Sequence, residues 1–427
     1  MISKPAPSEC FVYITLPGTT QPVTAARFEL MQDRGGNPLG RLVYGKSYLE
    51  RTDAVELDPV ELKLASREYE TTALKGIFGA LRDAGPDYWG RRVIERNVGK
   101  SALGELDYLL NAPDDRAGAL GFGFGVKPPA PLRKFNQTVG LEQLQATADA
   151  IVNDEELPLD ANRAQAEELL LIGTAMGGAR PKVVVEDNDG LWIAKFNRAN
   201  DKWNNARVEH AMLQLGRTCG LVTAESRVTT IGNRDVLLVK RFDREKTKGG
   251  YLRARMISGL TLLQTEDTFQ SRDKWSYIFL AEELRRVSAE PKRDAAELFK
   301  RMCFNALISN TDDHPRNHAA IAKERTWKLS PAYDLNPAPY VSLDRRDLAL
   351  ICGEQGRLAS AKNLLSQSPR FLLEADSASA LVRDMKEQVR TTWYDVARRS
   401  GVSEKDSEAI SGAFAYPGFD LDHIDSA

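Results

Sequence analysis

The chain has 427 residues, with 58 Lys plus Arg against 60 Asp plus Glu, a formal net charge of −2, and 42% hydrophobic and 28% charged residues. That length and composition suit two or three packed globular units, and the near-neutral balance leaves no bulk positive field to hold nucleic acid or an anionic membrane. The four cysteines, Cys10, Cys219, Cys303 and Cys352, are far apart and show no CxxC spacing, which points to a reducing, cytoplasmic compartment.

The first residues, MISKPAPSECFVYITLPG, have no long apolar core after a basic start, and nowhere do eighteen apolar residues run together. A soluble chain with no signal peptide and no membrane partner is expected. From Phe11 to about Leu64, short alternating runs (FVYITL, AARFEL, GRLVYG) are separated by Gly, Pro, Asn and Asp, the pattern of a small antiparallel β unit. Helical pattern follows from Ala73 to Val98, broken at GPDYWGRR, and again from Leu103 to Leu110. The Pro-rich basic segment Lys127 to Lys134 reads as a linker. Helices are expected near Leu141 to Val152 and ending near Leu171.

Gly173 to Phe196, GTAMGGARPKVVVEDNDGLWIAKF, reads as a Gly-rich loop, a strand, an Asn-Asp-Gly turn and a second strand, a β-hairpin signal. Val208, Ala211, Met212, Leu215 and Cys219 recur at helical spacing, and apolar runs then lead to VLLVKRFDR, Val236 to Arg244. Beyond about Leu262 the pattern is mainly helical, most clearly at Tyr277 to Leu284, Ala295 to Ser309 and Ala380 to Ala397. The parts are expected as 1–130 for an N-terminal domain, 140–260 for a small lobe with a phosphate loop, and 261–427 for a helical lobe.

The strongest chemical signal is SNTDDHPRNHAAI, Ser309 to Ile321, followed by WKLSPAYDL, Trp327 to Leu335. Asp312 and Asn317 stand five apart and Asp334 follows on or just after the next strand, the order Asp-x4-Asn then Asp of protein-kinase catalytic and metal loops. Phosphoryl transfer needs a carboxylate to orient the accepting hydroxyl, and a carboxylate and an amide carbonyl to hold Mg2+ against ATP phosphates. Upstream, Lys195 on the second hairpin strand and Glu209 on the next helix can form the ion pair that steadies the α- and β-phosphates. Each alone reads equally as a solvated surface charge; their order along one chain carries the inference.

The loop with Gly177, Gly178, Ala179, Arg180 and Lys182 is neither GxGxxG nor a Walker motif, and alone it also reads as a plain turn. Its missing Cβ atoms would let backbone N–H groups approach a polyphosphate, with Arg180 and Lys182 adding positive charge. Asp312 and Asp313 can also be read as helix caps. His314 and His318 have the spacing of a metal pair, but Pro315 lies between them and no HExxH set exists. His314 is expected to brace the loop by hydrogen bonding and is counted with the ATP-binding residues, with a structural histidine as the alternative.

Together GGARPK, IAKF, VKRFDR, NTDDHPRNH and SPAYDLNP resemble, in order, the hallmark segments of the HipA family, the kinase half of a bacterial toxin–antitoxin pair; LRDAGPDYWGRR and DDRAGALGFGF resemble its N-terminal domain and the joint after it. The resemblance implies a Ser/Thr protein kinase using ATP and Mg2+, with Asp312 as the catalytic aspartate and Asn317 and Asp334 on the metal. It implies Lys195 on the ATP phosphates, main chain from Lys240 to Phe242 beside the adenine, and Gly177 to Lys182 as the phosphate loop. It further implies an aminoacyl-tRNA synthetase as substrate, with translation inhibited and dormancy favoured, and a HipB-like helix-turn-helix antitoxin through which alone DNA is reached. The implied fold is α+β: a two-lobed protein-kinase-like core with a mostly helical C-terminal lobe, behind a small α/β N-terminal domain with a barrel-like sheet.

One departure stands out. The family usually carries a serine just before Gly-Gly-Ala, whose autophosphorylation ejects the loop; here that position falls on Ala175, with Thr174 beside it. Autoinhibition is then absent, moved to Thr174, or removed by substitution, and Thr174 can equally be a turn residue. A kinase-shaped corepressor without turnover, bridging antitoxin and DNA, is the alternative function, and the intact set Lys195, Asp312, Asn317 and Asp334 speaks against it.

Overall fold

Burial of apolar residues sets the first sheet. In β1 (Glu9–Thr15), Val12 and Ile14 are fully buried, and the strand pairs antiparallel with β2 (Pro22–Gln32). β3 (Pro38–Tyr44) and β4 (Glu68–Thr71) extend the sheet on one side and β5 (Leu120–Gly123) closes onto β1 on the other, giving the order β4-β3-β2-β1-β5. The computed structural model describes residues 8–101, 103–131, 135–137, 140–152, 180–198, 200–339 and 342–421.

The sheet is not the barrel-like one that the resemblance implied. Its edges are β4 and β5, four residues each, and no pairing joins them among the described residues. Closure requires edge strands that meet at a set tilt and stagger; alternation within a strand says which face is buried and nothing about its edge partner.

The chain divides into two units, one made of Met1–Phe196, Leu238–Ile257 and Ile321–Thr326, the other of Asn197–Leu237, Ser258–Ala320 and Trp327–Ala427. The first unit also holds β6 (Asn136–Gln137), β7 (Lys182–Asp187) and β8 (Gly190–Phe196). β7 and β8 form the expected hairpin, in register from Lys182↔Lys195 to Asp187↔Gly190. Its turn ends on Gly190 at φ 123°, a conformation that only glycine adopts readily. Helix Tyr88–Val98 begins where Asp87 accepts the Gly90 N–H at 2.6 Å, a side-chain N-cap.

The second unit contains β9 (Ser226–Ile231), the start of β10 (Arg234–Lys240), and most of the helices. Helix Asn205–Thr218 buries Val208, Ala211, Met212 and Leu215, the face read from their spacing. Helix Tyr277–Val287 is capped by Ser276, whose Oγ accepts from Ile278 and Phe279. Helix Pro291–Leu307 starts on a proline and is buried along most of its length, with Leu298, Phe299, Met302, Cys303 and Phe304 all inaccessible. It is the core rod of this unit, and its C-terminal end delivers the loop that carries Asp312.

Candidate active site

The loop after helix Pro291–Leu307 is held by backbone and side chain together. Ser309 turns the chain at φ 55°, the left-handed region that non-glycine residues rarely enter. Its hydroxyl donates to Ala413 O at 2.6 Å and accepts from the buried Arg346 guanidinium, which also donates to Gly412 O at 2.7 Å. The Asn310 N–H donates to Asn305 O at 2.8 Å and the Ala338 N–H to Ser309 O at 3.1 Å. A strained turn persists only where its surroundings over-determine it, and these bonds do so.

Asp312 and Asn317 share this loop, and Asp334, on the segment after the next two short strands, is near enough for its charge to act on Asp312. The His314 N–H donates to Asp312 O at 2.8 Å, and Asn317, in the short turn Pro315–Asn317, donates its Nδ2 to the same oxygen at 3.4 Å. Asp334 also stands at positive φ, 59°. Asn310 Nδ2 lies 3.5 Å from its carbonyl, and Asn336 Nδ2 lies 3.3 Å from its Oδ1. Burial pushes the Asp312 carboxyl up; His314 opposes that, while Asp334, Asp313 and Asp267 add to it. Asp312 and Asp334 thus sense each other's charge, the condition a divalent cation relieves. The Asp334 carboxylate and Asn317 amide oxygen are hard donors of the kind Mg2+ takes, and Mg2+ commonly uses one or two protein oxygens and completes its shell with phosphate and water. The residues therefore fit the ion.

Behind the loop lies a buried polar chain that the sequence did not single out. Asp313, 1% exposed, accepts from the Tyr277 hydroxyl and pairs with His318 Nε2 at 2.8 Å through one carboxylate oxygen. Asn305 Nδ2 donates to the Tyr277 oxygen at 3.2 Å, and Asn310 Nδ2 reaches Asn305 Oδ1 at 3.1 Å. These groups link the residue next to Asp312 with the carbonyl of Asp334. His318 braces the loop through Nε2 on Asp313, while Nδ1 of both His314 and His318 is buried without a hydrogen-bond partner. With His318 turned onto Asp313, the two histidines do not make a metal pair. The second histidine of NTDDHPRNH, five residues after Asp313, was the signal available.

Glu209 is buried on helix Asn205–Thr218 of the second unit. In the first unit, Lys195 lies on β8 directly opposite Lys182, so both side chains rise from one face of the hairpin. The Lys182 ammonium, expected on a polyphosphate, is buried and sits 2.7 Å from Asp87 Oδ2, while the Lys182 carbonyl accepts the Trp89 indole N–H at 3.1 Å. Arg180 lies two residues before β7 and is half-buried. Lys240, at the end of β10, stands 5.4 Å from the centre of the Trp192 ring. Phe242 follows between Arg241, whose N–H donates to Leu191 O, and Asp243. Thr174, Ala175, Gly177, Gly178 and Ala179 lie outside the described residues.

The segment after Lys240 is fixed by buried charge. Arg241 and Arg244 both donate to Asp243, and Arg241 also pairs with Asp115. The Asp243 carboxylate further accepts the Gly118 N–H at 2.9 Å, and both arginines donate to Arg116 O. Burial alone would raise the Asp243 pKa; Arg241 and Arg244 outweigh it and hold this carboxyl far below the usual range.

Residues 174–393 match the family described as HipA-like C-terminal domain. "Putative kinase Y4mE" of Sinorhizobium fredii is 27% identical over 326 residues, 72% of this chain and 74% of that one. Toxin YjjJ of Escherichia coli is 26% identical over 206 residues, 43% of this chain and 44% of that one. The HipA chain of Shewanella oneidensis MR-1, solved with HipB and its operator DNA, shares the fold at a TM-score of 0.67 and 16% identity, covering 94% of both chains. With the family match spanning just over half of its length, the chain belongs to the HipA-like family.

Proposed function

We propose that this chain is an ATP- and Mg2+-dependent Ser/Thr protein kinase and the toxin of a toxin–antitoxin pair. The observation that carries the reading is the convergence of Asp312, Asn317 and Asp334 on one over-determined loop system. Asp312 orients the accepting hydroxyl and takes its proton. Asn317 and Asp334 supply the oxygens that hold Mg2+, which neutralises charge on the phosphates when bound. Lys195 meets the ATP phosphates, with Glu209 as its partner, and main chain from Lys240 to Phe242 borders the adenine. Asp313, through Tyr277 and His318, keeps the loop in its reactive geometry. Residues 1–130, 140–260 and 261–427 act as N-terminal domain, small lobe and helical lobe.

Family resemblance supports an aminoacyl-tRNA synthetase as the phosphorylated target, and so inhibition of translation. A helix-turn-helix antitoxin is the partner, a reading supported by the presence of HipB and operator DNA in the Shewanella complex. Contact with DNA runs through that antitoxin. Among the described residues no helix is long and apolar enough to cross a membrane.

Calorimetric titration of ATP, with Mg2+ and then with EDTA, tests the site. Saturable binding with Mg2+ that weakens about tenfold or more with EDTA, or in Asp334→Ala, is expected. No ATP binding under either condition would favour the corepressor reading.

A further inference from the structure

The first unit contains a half-enclosed cavity of about 190 Å³ whose wall includes Tyr13, Thr15, Asp114, Arg116, Phe122 and Arg253. Two arginines around so small a space require an account of charge. The cluster there has the buried Arg116, Arg241, Arg244 and Arg253 against the buried Asp115 and Asp243 and the half-buried Asp114, one positive charge in excess among these residues. Arg253 takes Asp114 with two bonds, Nη2 to Oδ2 at 2.6 Å and Nη1 to Oδ1 at 3.1 Å. Asp115 and Asp243 are taken by Arg241 and Arg244. Arg116 is the cation left over.

Its surroundings confirm the imbalance. Arg116 is 2% exposed; its Nη atoms donate only to the carbonyls of Ala84, Leu109 and Ala112, its Nε is buried without a partner, and its guanidinium lies 4.9 Å from the Phe122 ring centre. Burial pulls its pKa down to about 10, with Asp114 opposing and Arg253 adding to the fall. One Asp115 oxygen is also unpartnered, but its carboxylate already has Arg241. A buried ion is costly unless an opposite charge answers it, and an unsatisfied buried group calls for a partner such as an ordered water or an ion.

We propose that this cavity binds a small carboxylate with an apolar body, between acetate and benzoate in size, as the counter-anion of Arg116. A single excess charge suits a monoanion better than a phosphate dianion. The other walls, Tyr13, Phe122, Pro22 and Pro129, suit an aliphatic or aromatic body. The volume is well below that of pockets for drug-sized ligands, which excludes a nucleotide.

The experiment is calorimetric titration of the full chain with sodium acetate, sodium benzoate and inorganic phosphate, independent of any kinase activity. Two variants accompany it. Gly121→Leu fills the cavity, since a Cβ there would stand 3.6 Å from the Tyr13 ring and 3.8 Å from Asp114 Oδ1, ordinary contact distances. Arg116→Met removes the charge, and circular dichroism checks that each variant is folded; Gly121→Leu decides the matter should Arg116→Met not fold. Saturable one-to-one benzoate binding, tighter than phosphate and weakened about tenfold or more by Gly121→Leu, is expected. Absence of saturable carboxylate binding would mean that the cavity holds water only. Binding unchanged in Gly121→Leu, or phosphate binding tighter than benzoate, would overturn the assignment equally.

Discussion

His318 Nε2 lies 2.8 Å from Asp313 Oδ2, the same oxygen that takes the Tyr277 hydroxyl, and all three side chains are buried. The pair stands directly behind Asp312 and, through Asn305 and Asn310, reaches the carbonyl of Asp334. Losing it should displace the groups proposed to react without removing any of them. Misplacement by about 1 Å can cost on the order of 10²-fold in rate. Asp313→Ala is therefore expected to lower kcat by roughly that factor while KM for ATP changes only a few-fold. Steady-state kinetics on Asp313→Ala and the milder Tyr277→Phe check this; an equal rise in KM would point to loss of ATP binding instead.

Asp87 and Lys182 give a stability prediction. Both are nearly inaccessible, and Asp87 also caps helix Tyr88–Val98. Removing one partner of a buried pair costs about 3–5 kcal/mol. Asp87→Ala leaves an ammonium buried and uncaps the helix, so it should lower the midpoint of thermal unfolding more than Lys182→Met, which replaces the ammonium with an apolar group. Equal, small shifts for the two variants would show that the pair contributes little.

Asp243 predicts a pH dependence. Its folded carboxyl lies below the ordinary value because Arg241 and Arg244 outweigh burial. In the window from the unfolded value of about 4 downward, the unfolded chain binds the proton first, so stability falls as pH falls. The contribution is complete above about pH 4 and lost in stronger acid. Thermal unfolding from pH 7 to pH 3 should show a loss in the parent that is smaller in Asp243→Asn, already destabilised at neutral pH.

Much of this was legible in the chain because it is local. The spacing of Val208, Ala211, Met212 and Leu215 gave the buried face of helix Asn205–Thr218, and the turn before Gly190 gave the β7–β8 hairpin. The order Asp312, Asn317 then Asp334, on which the proposed site rests, is also visible in the chain. What was not legible depends on distant partners. Lys182 looks like a phosphate ligand by position, yet its partner Asp87 lies 95 residues upstream. That His318 faces Asp313 is fixed by the packing of Tyr277 from another helix, a partner 41 residues upstream of it. The first sheet's open edges are likewise a matter of which strands meet, information no single strand carries.

The most direct measurement of the central claim is transfer of labelled phosphate from ATP with Mg2+ to proteins of a matching cell lysate, with Asp312→Ala run in parallel. The account predicts label on a discrete lysate protein, reduced on the order of 10²-fold or more in the variant, as expected when a group acting at the transition state is removed. Transfer by Asp312→Ala within a few-fold of the parent would contradict it.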